Sequence, residues 1–161
     1  MKIHVFCVGG TIDKIYFDAK SKYEVGAPAI AKMLSQIAVN LDIEVTSLMA
    51  KDSLEMTDAD REIIAQAVAD CEADKIIITH GTDTMPDTAR SLANLANKAI
   101  VLTGALAPAI FKDSDAMFNV GGALAAVQAL DNGVYIVMNG ELFDAMNVRK
   151  DVENNCFMRL N

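Results

Sequence analysis

The seven residues Thr79-His80-Gly81-Thr82-Asp83-Thr84-Met85 gather three hydroxyls, an imidazole and a carboxylate. A hydroxyl can act as nucleophile or proton relay when a base lies near, and a carboxylate can hold a ligand ammonium. Backbone N–H groups at the start of a helix add donors for a polar ligand. The plainer alternative is that Thr82, Asp83 or Thr84 caps that helix. Capping accounts for one such residue, not for three beside His80 and Gly81. His80 reads as a structural hydrogen-bonding residue rather than a general base. Gly9-Gly10-Thr11 offers a further hydroxyl, where two glycines let the backbone approach a ligand closely, or else form a tight turn with a solvated Thr11. It is not a dinucleotide fingerprint, which needs a third glycine and an immediate helix. Lys150, in Asn147-Val148-Arg149-Lys150, is either a solvated neighbour of Arg149 or, if desolvated, an amine of lowered pKa able to take a proton from a threonine. Ser53 either serves a ligand or merely leads into a helix cap. Tyr23 lies in Asp13 to Ala27, a stretch long for a connection that mixes aromatics with charges, as lids do; otherwise it packs beneath its own loop.

The elements that would position these groups follow from the apolar pattern. Runs rich in Ile and Val over Ile3 to Val8, Ile43 to Leu48, Lys75 to Thr79, Ile100 to Thr103 and Val134 to Met138 predict strands covered on both faces. Between them, Ile30, Met33, Leu34, Ile37 and Ala38 recur at helical spacing, as do Ile63, Ile64, Ala67, Val68 and Cys71. Thr57 is placed to cap the second helix, with Asp58 and Asp60 in its first turn. A third helix starts around Asp83 to Pro86 and carries Ala89, Leu92, Ala93 and Ala96, and a fourth runs from about Ser114 to Leu130. Its Gly121-Gly122 pair marks close packing or ligand approach. Strands alternating with helices give an α/β fold, a three-layer doubly wound sheet of the Rossmann-like or flavodoxin-like kind, mainly parallel. Ligands bind beyond the carboxyl ends of such strands. That rule selects Gly9 to Thr11, Asp52-Ser53, Thr79 to Thr84, Thr103-Gly104-Ala105 and Asn139 to Lys150.

The chain has 161 residues, expected to form one domain over 1–161, with a formal net charge of −8. That charge repels phosphate backbones and anionic lipid, so neither nucleic acid nor a membrane is an expected partner. At 52% hydrophobic residues a sizeable core is affordable, and no apolar run approaches the ~18 residues of a membrane span. A signal peptide is not read at the N-terminus, so a cytoplasmic protein is expected. The three cysteines, Cys7, Cys71 and Cys156, lack CxxC spacing and read as reduced thiols; no metal site is expected.

These residues in this order resemble the asparaginase/glutaminase family of amidohydrolases and their archaeal tRNA-amidotransferase relatives. The resemblance rests on Gly9-Gly10-Thr11-Ile12, Lys22-Tyr23-Glu24-Val25-Gly26, Asp52-Ser53 through Met56-Thr57, Thr79 through Met85, Val101 through Ala105, Ser114-Asp115, Asn119, Val137-Met138-Asn139 and Lys150. It implies hydrolysis of the side-chain amide of asparagine or a related small amide, with ammonia release and no cofactor. Thr11 would attack the amide carbon to form an acyl-enzyme, with Tyr23 near its hydroxyl. Lys150 would polarise Thr82, Asp83 would hold the α-ammonium, Ser53 the α-carboxylate, and Gly10 and Ala105 would line the substrate. Leu54, Ala116 and Met146 depart from common family residues. The family's second, smaller domain, which completes a neighbouring subunit's site, has no counterpart in these residues, so a single-domain form is expected, with a homodimer covering the exposed apolar surface. Two other readings remain: an amino-acid-binding or regulatory domain without activity, and an amide-handling subunit of a larger complex.

Overall fold

Ile76, Ile77 and Ile78 are all fully buried, which a strand achieves only when both of its faces are covered. The computed structural model, which describes residues 1–95 and 97–160, supplies that cover. The chain runs through β1 (Lys2–Gly9), a hairpin of β2 (Lys14–Phe17) and β3 (Lys22–Val25), α1 (Ala29–Gln36), β4 (Asp42–Lys51) and α2 (Asp58–Asp70). It continues with β5 (Lys75–Thr79), α3 (Met85–Ser91), β6 (Ala99–Thr103), α4 (Ala116–Ala129) and β7 (Gly133–Met138). Strand β8 (Glu141–Asp144) and a second hairpin of β9 (Val148–Asp151) and β10 (Cys156–Arg159) complete it.

The central sheet has the order β4-β1-β5-β6-β7-β8. Its first five members are parallel, and β8 is an antiparallel edge strand beside β7. Alternate residues feed two cores. Phe6, Ile76, Ile78, Ile100 and Leu102 pack with Ile64 and Val68 of α2 and Met85 and Ala89 of α3. Val5, Ile77 and Val101 face the other way, toward Ile30 and Met33 of α1 and Val120, Ala123 and Val127 of α4. The expected three-layer α/β sheet is therefore present. Because β1 connects outward to β4 on one side and the chain then crosses to β5 on the other, strand order reverses between β1 and β5, and above the carboxyl ends at such a reversal is where sheets of this kind form a ligand crevice.

Local chemistry sets the helix limits. The Thr57 side chain accepts from the Asp60 N–H and the Asp60 carboxylate accepts from the Thr57 N–H, a capping box that starts α2. Lys51, at the end of β4, donates to the same carboxylate at 2.7 Å and ties strand to helix. Helix α3 is shorter than the spacing predicted. After Ser91 the chain tightens into turns in which Leu92 donates to Ala89 and Ala93 to Arg90, so Leu92 packs in the core from a turn; Ala96 lies outside the described residues. Ile63 does not face the sheet but is 53% exposed, because the buried stripe of α2 is Asp60, Ile64 and Val68. In α4, a Cβ on Gly122 would lie 3.3 Å from Val137, so this glycine permits close packing, whereas Gly121 faces open space. Both hairpins and β8 lie where the apolar pattern predicts no strand. All three cysteines are free thiols, and among the described residues no helix is long and apolar enough to cross a membrane.

Thr57→Ala removes one half of the capping box and is expected to lower stability by about 1 kcal/mol. A urea denaturation midpoint that falls with an unchanged slope checks this; an unchanged midpoint would show that Lys51 and Asp60 hold the helix start without Thr57.

Candidate active site

Strand β1 ends in a glycine pair because nothing larger fits. Gly9 (φ 101°) passes so close to β4 that a Cβ would lie 2.5 Å from the Lys51 backbone. Gly10 (φ 96°) abuts the turn after β5, where a Cβ would overlap the backbone nitrogen and Cα of Gly81. On its other side Gly81 touches the turn after β4: a Cβ there would lie 2.6 Å from the Ser53 Cβ. Three strand ends thus meet through glycine, and each glycine contact is followed or faced by a hydroxyl: Thr11 after Gly10, Thr82 after Gly81, Ser53 against Gly81.

These hydroxyls are not consumed by the fold. Among the described residues, the side chains of Thr11, Ser53 and Asp83 make no hydrogen bond, although Ser53 is 2% exposed and Thr11 and Asp83 are half-buried. Capping does not explain the Thr82 to Thr84 cluster, because Thr84, at the start of α3, makes no side-chain cap. Its hydroxyl instead donates to the Ser53 carbonyl at 2.7 Å, clamping the two turns together. His80 is fully buried between the Gly81 carbonyl (2.7 Å from Nδ1) and the Thr88 hydroxyl (2.8 Å from Nε2). Burial pushes its imidazole down to about 4, so at neutral pH it is an uncharged structural brace for the turn, with Nδ1–H donating to Gly81.

Lys150 is brought to the turn after β5. It is on β9, and its Nζ lies 3.5 Å from Thr82 Oγ1. Burial lowers the pKa of its amine, against the opposing pull of Asp83 first among the nearby acids. Strand β9 pairs with β10 in a hairpin, and Arg90 of α3 donates to the carbonyl of Val148, the first residue of β9. Beyond the next strand tip, Asp115 accepts from the backbone of Leu106 and Ala107. Asn119 donates to the Gly104 carbonyl at 3.0 Å and accepts from the Asn139 N–H at 2.8 Å. This pair fixes the loops after β6 and β7. Ala105 is 1% exposed and packs in the core with Ile12 and Ala116.

Tyr23 packs through its ring. It sits on β3 opposite Tyr16, is 47% exposed, and meets Tyr16 and Phe111 edge-to-face at 5.4 and 5.8 Å between ring centres. Among the described residues no hydrogen bond joins its hydroxyl to Thr11. A cavity of about 380 Å³ beside the hairpin is lined by Tyr23, Lys14, Asp52 and Glu55 and by neither threonine. The base of the hairpin is anchored by two residues that no sequence motif marks. Lys14 pairs with Asp52 at 2.8 Å, next to Ser53. Asp13, 3% exposed, accepts the Gly26 N–H on its carbonyl and the Ala29 N–H on its carboxylate, both at 2.8 Å, joining the hairpin to the start of α1. Its position between Ile12 and Ile15 hinted at burial, but its partners could not be inferred without the register of the hairpin.

Residues 2–157 match the family described as Asparaginase, N-terminal. The chain belongs to that family. It is 33% identical over 162 residues to L-asparaginase 2 of Escherichia coli (strain K12), covering 92% of this chain and 46% of that protein. It is 30% identical over 141 residues to the glutaminase-asparaginase of Acinetobacter glutaminasificans, covering 82% of this chain and 43% of that protein. The solved thermostable L-asparaginase from Thermococcus kodakarensis superposes with a TM-score of 0.86 at 29% identity, covering 100% of this chain and 52% of that one. The chain thus spans about half the length of these relatives.

Asp13 generates a pH prediction. Burial raises its carboxyl to about 6, above the ~3.9 of an unfolded aspartate. The folded state therefore binds a proton more tightly, and this group's contribution to stability is complete below about pH 4 and lost as pH rises through about 6. Asp13→Asn keeps an acceptor for Ala29 without the charge. Its stability relative to the unsubstituted chain should climb between pH 4 and 6 and level off above, as read from urea midpoints across that range. A difference independent of pH would show that Asp13 titrates normally.

Proposed function

We propose that the chain is an L-asparaginase-type amidohydrolase, acting on the side-chain amide of asparagine or a related small amide. The observation that carries the proposal is the approach of a partly desolvated Lys150 amine to Thr82 on one wall of a crevice whose other wall, through the Gly10–Gly81 contact, presents Thr11. A threonine hydroxyl is a weak nucleophile until a neighbour accepts its proton, and Thr82 beside the Lys150 amine offers a relay through which that proton can leave.

In this reading the Thr11 oxygen attacks the amide carbon, and the backbone N–H groups of Thr11 and Thr82 stabilise the oxyanion, each donor contributing ~3 kcal/mol to the transition state. The Thr11 hydroxyl proton, taken up by way of Thr82 and Lys150, is returned to the leaving nitrogen as the carbon–nitrogen bond breaks, so ammonia departs, and water then cleaves the resulting ester to release the acid and restore Thr11. Asp83, whose carboxylate has no internal partner among the described residues, holds the α-ammonium, and the free Ser53 hydroxyl receives the α-carboxylate. Lys150 must be uncharged to accept a proton from Thr82, so activity rises with pH as its amine loses its proton. No step calls for a metal or organic cofactor. The exposed Phe118 and Met146, at 64% and 61%, support burial against a second copy, a homodimer in the cytoplasm.

Ammonia release from asparagine and from glutamine, compared with Thr11→Ala and Lys150→Met, tests the proposal. Each variant should lose on the order of 10³-fold or more in kcat. Equal background rates in all three proteins, together with tight aspartate binding, would instead make the chain an amino-acid-binding domain.

A further inference from the structure

We propose that Asn155 is a positioning residue for Lys150, its side-chain carbonyl holding the amine so that the nitrogen faces Thr82. The inference rests on the amidohydrolase reading for its catalytic consequence. Lys150 Nζ donates to Asn155 Oδ1 at 2.8 Å, a much shorter contact than the 3.5 Å to Thr82 Oγ1. The Phe157 ring, 5.1 Å from Nζ, bounds the amine on another side. An amide oxygen can only accept, so it binds an N–H. Once the amine is neutral it has two N–H groups and one lone pair; with one N–H directed to Asn155, the lone pair is free to turn to the Thr82 hydroxyl.

Asn155 is built to stay there. It adopts the left-handed conformation, φ 50°, which asparagine tolerates better than most residues, at the close of the β9–β10 turn. The turn is fastened by Asp151, whose carboxylate accepts the Asn154 backbone N–H at 3.1 Å and its side-chain amide at 3.0 Å. Arg159 at the end of β10 pairs with Glu141 and the Leu142 carbonyl, locking the hairpin against β8. A neutral acceptor also suits the task. The groups facing the amine are Asp83 after β5, Asp115 before α4, and Asp151 and Cys156 within the hairpin, all favouring its charged form. A further carboxylate would oppose deprotonation; an amide directs the amine with far less electrostatic penalty.

Two variants and two readouts test this. Asn155→Gly preserves the left-handed backbone and removes the acceptor, while Asn155→Asp keeps the acceptor and adds a charge. The Lys150 titration is followed directly by the ¹³Cε resonance of labelled lysine, assigned with Lys150→Met. Asn155→Asp should raise its midpoint by about one unit. With asparagine, Asn155→Gly should lower kcat on the order of tenfold at every pH, with KM within about twofold. Asn155→Asp should lose activity at neutral pH and recover toward the unsubstituted rate as pH rises, a rescue that a merely structural asparagine would not produce. An unmoved Lys150 midpoint in Asn155→Asp, or a kcat profile unchanged in both variants, overturns the inference. A moved midpoint in a chain that hydrolyses no amide supports the Asn155–Lys150 coupling and removes the hydrolase reading.

Discussion

The backbone of Gly10 lies against the backbone of Gly81 with no room for a β-carbon between them, and the geometry of the crevice depends on that contact. Parallel strands in adjacent positions bring their carboxyl ends to the same level, but the turns that follow normally splay apart behind their side chains. Here the turns after β1 and β5 close onto each other, and Ser53 closes onto Gly81 from the third side. A fixed backbone is what lets short side chains serve. Thr11, Ser53 and Thr82 reach only one or two bonds beyond their Cα atoms, so their relative positions are set by the main chain to within the play of one torsion. Longer side chains are used only where the distance is larger, and the longest, Lys150, arrives from β9 with a second residue to steady it.

The β2–β3 hairpin is held by forces of a different kind. The Lys14–Asp52 pair is about one-third exposed on each side and contributes at most ~1 kcal/mol. Tyr23 on Phe111 adds about as much again. The firmer attachment is at the base, where Asp13 satisfies two backbone N–H groups from within the core. The hairpin is thus pinned at its root and lightly held along its length. Tyr23 rides on the lightly held part.

The sheet was legible in the sequence because burial on both faces leaves a mark on every residue of a strand. Ile76 to Ile78 could be nothing else, and the capping box at Thr57 and Asp60 declares itself by spacing. Elements that bury one face or none left no such mark: β2, β3, β9 and β10 read as loops because their exposed residues mix Tyr, Phe, Lys and Asp without alternation. Ile63 misled for a related reason, since an apolar residue beside a buried Ile64 matches the helical period equally well, and only packing chooses between them. For the proposed site, the strand-end rule and the family resemblance both point to Thr11, Ser53, Thr82, Asp83 and Lys150. Neither could find Asp13 or Asn155. Each acts by a hydrogen bond whose partner is set by hairpin register, and register is a property of two strands together that no single stretch of sequence displays.

The central claim is that a single amino acid is gripped where three glycine-joined turns meet. A crystal of the chain soaked in aspartate puts that to the test most directly. The account predicts density with the α-ammonium on Asp83, the α-carboxylate on Ser53 and the side-chain carboxylate between Thr11 and Thr82. Aspartate bound elsewhere, or an empty crevice at saturating ligand with Thr11, Thr82 and Ser53 open to solvent, would contradict it.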